Sequence, residues 1–315
     1  MIKIQKSSIF AIYKKNYFMI YDNILQTIGD TPLVKINKIN PNPKSNIFAK
    51  IEGMNPSGSI KDRIALKMIE QAEAEGALDK TKTILEPTSG NTGIGIAMIG
   101  AVKGYKVEII MSSAVSIERR KLIEGFGGKV ILTDADKGTD GAIEKAKELV
   151  SKNPEKYFFP DQFSNKYNKL AHYKTTGEEI WKQTNGKVDF FVSALGTSGT
   201  MMGIAKTLKE YNPKVKIVSA HPVKGHYIQG IKNMEEAIVP ALYNPDIIDI
   251  TIMIETEEAL KTSRRIMREE GIPVGMSSGA AMYAAIEIAK DNDDANIVVI
   301  MPDRVDKYLS TSLFD

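Results

Sequence analysis

The sequence predicts an α/β protein made of two doubly wound α/β domains with mainly parallel sheets. Three observations point there. From Ile47 onward, short β-branched runs alternate with amphipathic helical stretches, the order in which a parallel sheet and its crossover helices are laid down. Three of the junctions are loops rich in glycine and hydroxyl residues that lead into a helical pattern, where ligands of open α/β sheets collect. The 315 residues suffice for two units, each with its own core.

In chain order the expected strands are 47–51, 83–86, 106–111, 129–132, 188–193, 216–220 and 296–301, several of them continuous apolar runs of the kind buried on both faces. Between them, apolar residues three and four apart predict helices over 60–75, 92–103, 116–126, 141–151, 168–183, 201–211 and 257–270. No fixed-period repeat or low-complexity stretch interrupts this order. The expected division is a smaller domain over 50–165 and a larger one over 166–315, with 19–49 free to pack on either and assigned to the larger. Residues 1–18 carry Lys3, Lys6, Lys14 and Lys15 and no acid. Their apolar patch at 9–12 is too short for a signal core, and a transit peptide would carry arginine. They read as a disordered extension or an upstream start ahead of Met19.

Composition excludes several classes of function. Hydrophobic residues at 43% and charged residues at 26% are ordinary globular usage, not that of a membrane bundle. A net charge of +3 without a dense Lys/Arg block lacks the footprint of a nucleic-acid binder. Small molecules are the expected partners. With no cysteine there is no disulfide, thiolate metal site or thiol nucleophile, which suits the cytoplasm. His172, His221 and His226 show no HExxH pairing, so no metal is assigned.

The three loops carry the chemistry. Gly196, Thr197, Ser198, Gly199 and Thr200 follow a strand and open a helix. Glycines let amides face outward, and the helix start adds unpaired N–H groups and a positive dipole end, together a phosphate cup. A tight βα turn is the equal alternative. Thr88, Ser89, Gly90, Asn91 and Thr92 form either a carboxylate cradle or an ordinary N-cap cluster. In the third loop Lys61 stands at a helix opening, an electrostatically misplaced cation whose burial would favour the neutral amine needed for a Schiff base. A solvated surface lysine is the alternative.

Taken in order, IGDTPLVKI, NPSGSIKDR, EPTSGNTGIGIA, GTSGT, IQGIKN, GMSSGAA and PDRVDKYLST resemble the signature segments of the cysteine synthases, or O-acetylserine sulfhydrylases, over residues 24–313. The resemblance implies the fold type II architecture, similar to that of tryptophan synthase β, with pyridoxal 5'-phosphate in the cleft between the domains. It implies Lys61 as the Schiff-base lysine and later the base that removes the substrate α-proton. Gly196 to Thr200 would hold the cofactor phosphate, and Asn91 would contact the phenolic oxygen. Thr88, Ser89, Gly90, Asn91, Thr92 and Gln162 would grip the substrate carboxylate. Ser277 would face the pyridine nitrogen, where a neutral hydroxyl makes a weaker electron sink suited to eliminating a good β-leaving group. The implied reaction is a transferase's β-replacement: an O-activated L-serine loses its substituent to give an aminoacrylate, and sulfide or another thiol adds to it. A homodimer is implied, and the apolar residues of 309–314 are compatible with one. Docking of a serine acetyltransferase tail is left open.

Some positions depart from the family pattern. GTSGT replaces GTGGT, and His221 stands where an acidic residue is usual. The segment 229–249 looks more like B-type cysteine synthases, including those that accept O-phosphoserine. Lys232 occupies the place of an arginine there, so it is either a looser partner for a departing phosphate or a solvated lysine. O-phosphoserine is therefore expected as a substrate beside O-acetylserine. Competing readings are a sulfide-releasing cysteine lyase, a cystathionine β-synthase and a diaminopropionate synthase. The short end after YLST speaks against the regulatory domain carried by many cystathionine synthases. A non-catalytic scaffold would not need Lys61 or Asn91, and no loop has the fingerprint of a nicotinamide dehydrogenase.

Overall fold

The computed structural model describes residues 20–315; the extension expected over 1–18 lies outside them. The first half contains β1 (Leu33–Ile36), β2 (Asn46–Ile51), α1 (Lys61–Ala74), β3 (Thr83–Pro87), α2 (Asn91–Lys103), β4 (Lys106–Ser112), α3 (Ile117–Gly125), β5 (Lys129–Thr133), α4 (Gly138–Lys152) and β6 (Tyr157–Phe158). There follow α5 (Lys166–Lys174), α6 (Thr176–Gln183), β7 (Phe190–Ala194), α7 (Gly199–Tyr211), β8 (Lys216–Pro222), β9 (Ile250–Ile254), α8 (Thr256–Arg265), α9 (Met276–Lys290) and β10 (Asn296–Met301).

The strands form two sheets, one six-stranded in the order β1-β2-β10-β7-β8-β9 and one four-stranded in the order β5-β4-β3-β6. Only the β1–β2 pairing is antiparallel among the described strands. β3 is buried along its whole length and β10 beyond its first residue, which explains why both read as unbroken apolar runs. α2 packs tightly because it is glycine-rich: a methyl on Gly93 would come 2.9 Å from Ile109 Cγ2, and one on Gly100 2.5 Å from Val107 Cγ2. Leaving β2, the chain bonds Ile60 N–H to the Pro302 carbonyl (2.8 Å) before entering α1. Lys61 is thereby fixed beside the end of β10.

Several elements differ from expectation. The helix predicted over 168–183 is two, α5 and α6, broken at Thr175 (φ −124°, ψ −76°), whose hydroxyl turns back to the Ala171 carbonyl. The segment 257–270 ends as a π turn over Ile266–Glu270. β1, β6, β9 and α9 were not predicted. The boundary expected at residue 50 falls inside β2.

Candidate active site

The loops after β3 and β7 and the start of α1 meet at one cleft of about 350 Å³. Its wall contains Lys61, Thr88, Ser89, Asn91, Thr92 and Gln162, together with Gly196, Thr197, Ser198, Thr200, Lys232 and Ser277. Gly90 and Gly199 back the wall. A methyl on Gly90 (φ +141°) would fall 2.1 Å from Arg119 Cδ, and one on Gly199 would fall 1.9 Å from Asn168 Oδ1.

Lys61 is held by its neighbours. Asp62 accepts the Ser57 N–H (2.7 Å) and the Ser57 hydroxyl, closing the preceding loop, and burial pushes its carboxyl up to about 6. Arg63 donates to Glu52 (2.7 Å) and Glu179 (2.6 Å), and Glu179 also takes Lys50 (2.7 Å). Burial raises the Glu179 carboxyl, but Arg63 and Lys50 outweigh it and hold it at about 2. Between these anchors the Lys61 amine has no hydrogen-bond partner among the described residues. Burial lowers its pKa to about 8, opposed by the charge of Asp303.

Across the cleft, no side chain caps the first turn of α7, so its leading N–H groups are open to an anion. Ser198 takes the left-handed conformation there (φ +68°), and its buried hydroxyl has no partner. The loop is braced from α5. Asn168 Nδ2 donates to Thr197 Oγ1 (3.0 Å) and to the Gln162 carbonyl (2.7 Å). His172 lies 3.1 Å from Thr200 Oγ1 through Nε2 and 3.0 Å from Thr176 Oγ1 through Nδ1. Burial, then Lys61, pushes His172 well below its usual range, so it is a neutral strut.

On the opposite wall, Thr92 Oγ1 donates to Gln162 Oε1 (2.6 Å), and Gln162 Nε2 donates to the Pro87 carbonyl (3.3 Å). Gln162 thus ties the 88–92 loop to the start of α5. Lys232 is not a solvated lysine: its amine sits 3.4 Å from Asp140 Oδ1 and 5.0 Å over the Phe163 ring. His221 accepts the Met234 N–H at Nε2 (3.1 Å), which leaves its Nδ1 to donate to the Pro222 carbonyl (3.2 Å). That histidine pins the loop carrying Gln229 and Lys232.

Sequence reasoning missed Asn168, His172, Arg119 and Asp303. The first two had a faint signal, polar residues at i and i+4 on a face otherwise expected in the core. Arg119 and Asp303 had none, since each meets the site through contacts remote in sequence.

Residues 24–303 match the family described as pyridoxal-phosphate dependent enzyme. The chain is 44% identical to cysteine synthase A of Escherichia coli strain K12, over 93% of this chain and 95% of that one. The chain belongs to the pyridoxal-phosphate dependent enzymes, among the cysteine synthases. Its cofactor is pyridoxal 5'-phosphate. Cysteine synthase B of the same bacterium is 42% identical over 92% and 95% of the two chains, so overall identity does not separate the two types. A hydrogen sulfide-producing enzyme from Fusobacterium nucleatum superposes with a TM-score of 0.88 at 45% identity, covering 92% of this chain and all of that one. The cleft fits the cofactor: it offers an unpartnered amine, an uncapped helix start and the orphaned buried Oδ1 of Asn91.

Proposed function

We propose that this chain makes L-cysteine by β-replacement on an O-activated L-serine, so that O-acetyl-L-serine and hydrosulfide give L-cysteine and acetate. The observation that carries this is a lysine amine without a hydrogen-bond partner among the described residues, in the same cleft as an uncapped, glycine-lined helix start. When bound, pyridoxal phosphate supplies the electron sink that lets the Cα–H bond break. Lys61 would hold its aldehyde carbon, Gly196 to Thr200 its phosphate, Asn91 its phenolic oxygen, and Ser277 would face its ring nitrogen. Thr88, Ser89, Gly90, Asn91 and Thr92 would receive the substrate carboxylate on a helix start, with Gln162 holding that loop. Lys61 Nζ, freed by the substrate amine, would take the α-proton. The β-substituent would leave as its anion and hydrosulfide would add at Cβ.

O-phosphoserine is proposed as a second donor, its phosphate drawn to Lys232 at the mouth. The likeness to the sulfide-producing enzyme favours a second reading, in which the same residues act on cysteine with sulfide as leaving group. We further infer a homodimer in the cytoplasm, with the exposed Leu309 and Phe314 available to a subunit contact. Among the described residues no helix is long and apolar enough to cross a membrane.

The test supplies purified holoprotein with O-acetylserine, O-phosphoserine or cysteine, with and without sulfide, and identifies the products. Cysteine from O-acetylserine plus sulfide, absent in Lys61→Ala, is expected. Sulfide from cysteine alone, at a higher rate than cysteine synthesis, favours the second reading. O-phosphoserine turnover that Lys232→Ala leaves unchanged removes that residue's assigned role.

A further inference from the structure

Asp303 follows β10 with a carboxylate that is 1% exposed. Its Oδ2 accepts from Asn91 Nδ2 (2.7 Å) and from the Tyr308 hydroxyl (2.7 Å). Its Oδ1 has no hydrogen-bond partner among the described residues and faces Gly275, where an added methyl would lie 2.3 Å away. Gly275 precedes α9, whose first turn no side chain caps, so the helix's positive end sits beside the carboxylate. The other charges around it are Lys61 at the start of α1 and Lys307 just beyond in the chain, and Arg119 of α3, which covers the Tyr308 ring at 4.4 Å. The buried carboxylate thus takes two side-chain donors on one oxygen and none on the other.

We propose that Asp303 is a positioning residue that holds the Asn91 amide in one of its two orientations for the cofactor. An ionised carboxylate only accepts, whereas an amide has both a donor and an acceptor end. Turning Asn91 over would set its Oδ1 against Asp303 Oδ2, two acceptors facing each other. The Nδ2 end is therefore fixed on Asp303, and Oδ1 with the second N–H is left for the bound ring. That Oδ1 is the buried orphan noted above. Asp303 also adds a negative charge that favours the protonated form of the Lys61 nitrogen. The inference rests on the proposed contact between Asn91 and the cofactor.

The test uses holoenzyme and Asp303→Asn, which keeps the shape and removes the charge that chooses the orientation. The variant is expected to retain the cofactor's visible band and to shift the pH titration of that band downward. Its kcat is expected to fall about 10- to 100-fold with a smaller change in KM, the scale of one mis-set charged hydrogen bond. Because Asp303 positions the site through Asn91 and reaches the Lys61 nitrogen only by its charge, the double variant with Asn91→Ala, compared at a pH where the band is fully in its protonated form in every variant, is expected to be no slower than Asn91→Ala alone. A titration and kcat equal to wild type, or losses that multiply in the double variant, overturn the proposal. A neutron structure of the wild-type holoenzyme decides the orientation without a variant: deuterons on the Asn91 atom facing Asp303 uphold it, and a bare oxygen there overturns it. Wild-type protein that forms no cofactor band overturns the reading of the whole site, whereas a normal wild-type band with an unaltered variant overturns the role of Asp303 alone.

Discussion

Glu86 lies one residue before the end of β3 with its carboxyl fully buried, accepting the Gln162 N–H (3.2 Å) at one oxygen and leaving the other without a partner. Burial pushes it up to about 8 from 4.5. The unfolded chain releases this proton near 4.5 and the folded protein keeps it to about 8, so stability is full below the first value and is lost as pH rises through the second. Glu86→Gln removes that dependence. Thermal melts are expected to show the variant more stable than wild type at about pH 8 to 9, with the gap closing by about pH 5; equal midpoints at both values would contradict the buried, protonated state. Lys61 has the opposite sign. Its lowered pKa makes the amine available to an aldehyde at milder alkalinity than an ordinary lysine, so cofactor capture by the apoprotein is expected to rise with pH and level off above about 8. The loop glycines, the hydroxyls and Lys61 were legible in sequence as local patterns. The buried state of Glu86 was not, because nothing local says that the 162 loop covers it.

The bracing of the phosphate loop belongs to the helices. Asn168 on α5 serves both Thr197 and the Gln162 carbonyl, joining the proposed phosphate and carboxylate walls through one amide. Asn168→Ala removes the donor to two buried acceptors, at a cost of about 1–3 kcal/mol. The expected result is faster loss of cofactor on dialysis, read as a falling visible band, while the secondary structure is retained; unchanged retention would deny α5 that role. The same helix shows the limits of periodicity. Its apolar spacing continues into α6 without a break, so the sequence reads as one helix, whereas the chain breaks at Thr175, whose hydroxyl also accepts from Arg63 Nη1 (3.2 Å). α9 escaped for the converse reason: almost every position from Met276 to Ala289 is buried, leaving no polar face for a 3.6-residue pattern to mark. β6 is too short to register, and β1 and β9 are edge strands with only one fully buried residue each.

At the scale of the molecule, the alternation of strands and helices was enough to give mainly parallel sheets, of which there are two, because covering both faces of such a sheet forces that order. What sits between the units was not legible. Arg63, Glu52, Glu179 and Lys50 join α1, the end of β2 and α6 in one buried ion network, and Asp140 on α4 reaches Lys232 across the cleft mouth. The second contact predicts a specificity effect. Freeing Lys232 by Asp140→Asn is expected to lower KM for O-phosphoserine about two- to five-fold, the scale of one partly exposed ion pair, and to leave O-acetylserine unchanged. An equal change for both donors would mean that Asp140 only shapes the mouth. The most direct measurement concerns the lysine itself: reduce the purified holoprotein with borohydride, digest it, and locate the phosphopyridoxyl group by mass spectrometry. The group is expected on Lys61 alone; its attachment to another lysine, or to none, would contradict the reading of this cleft.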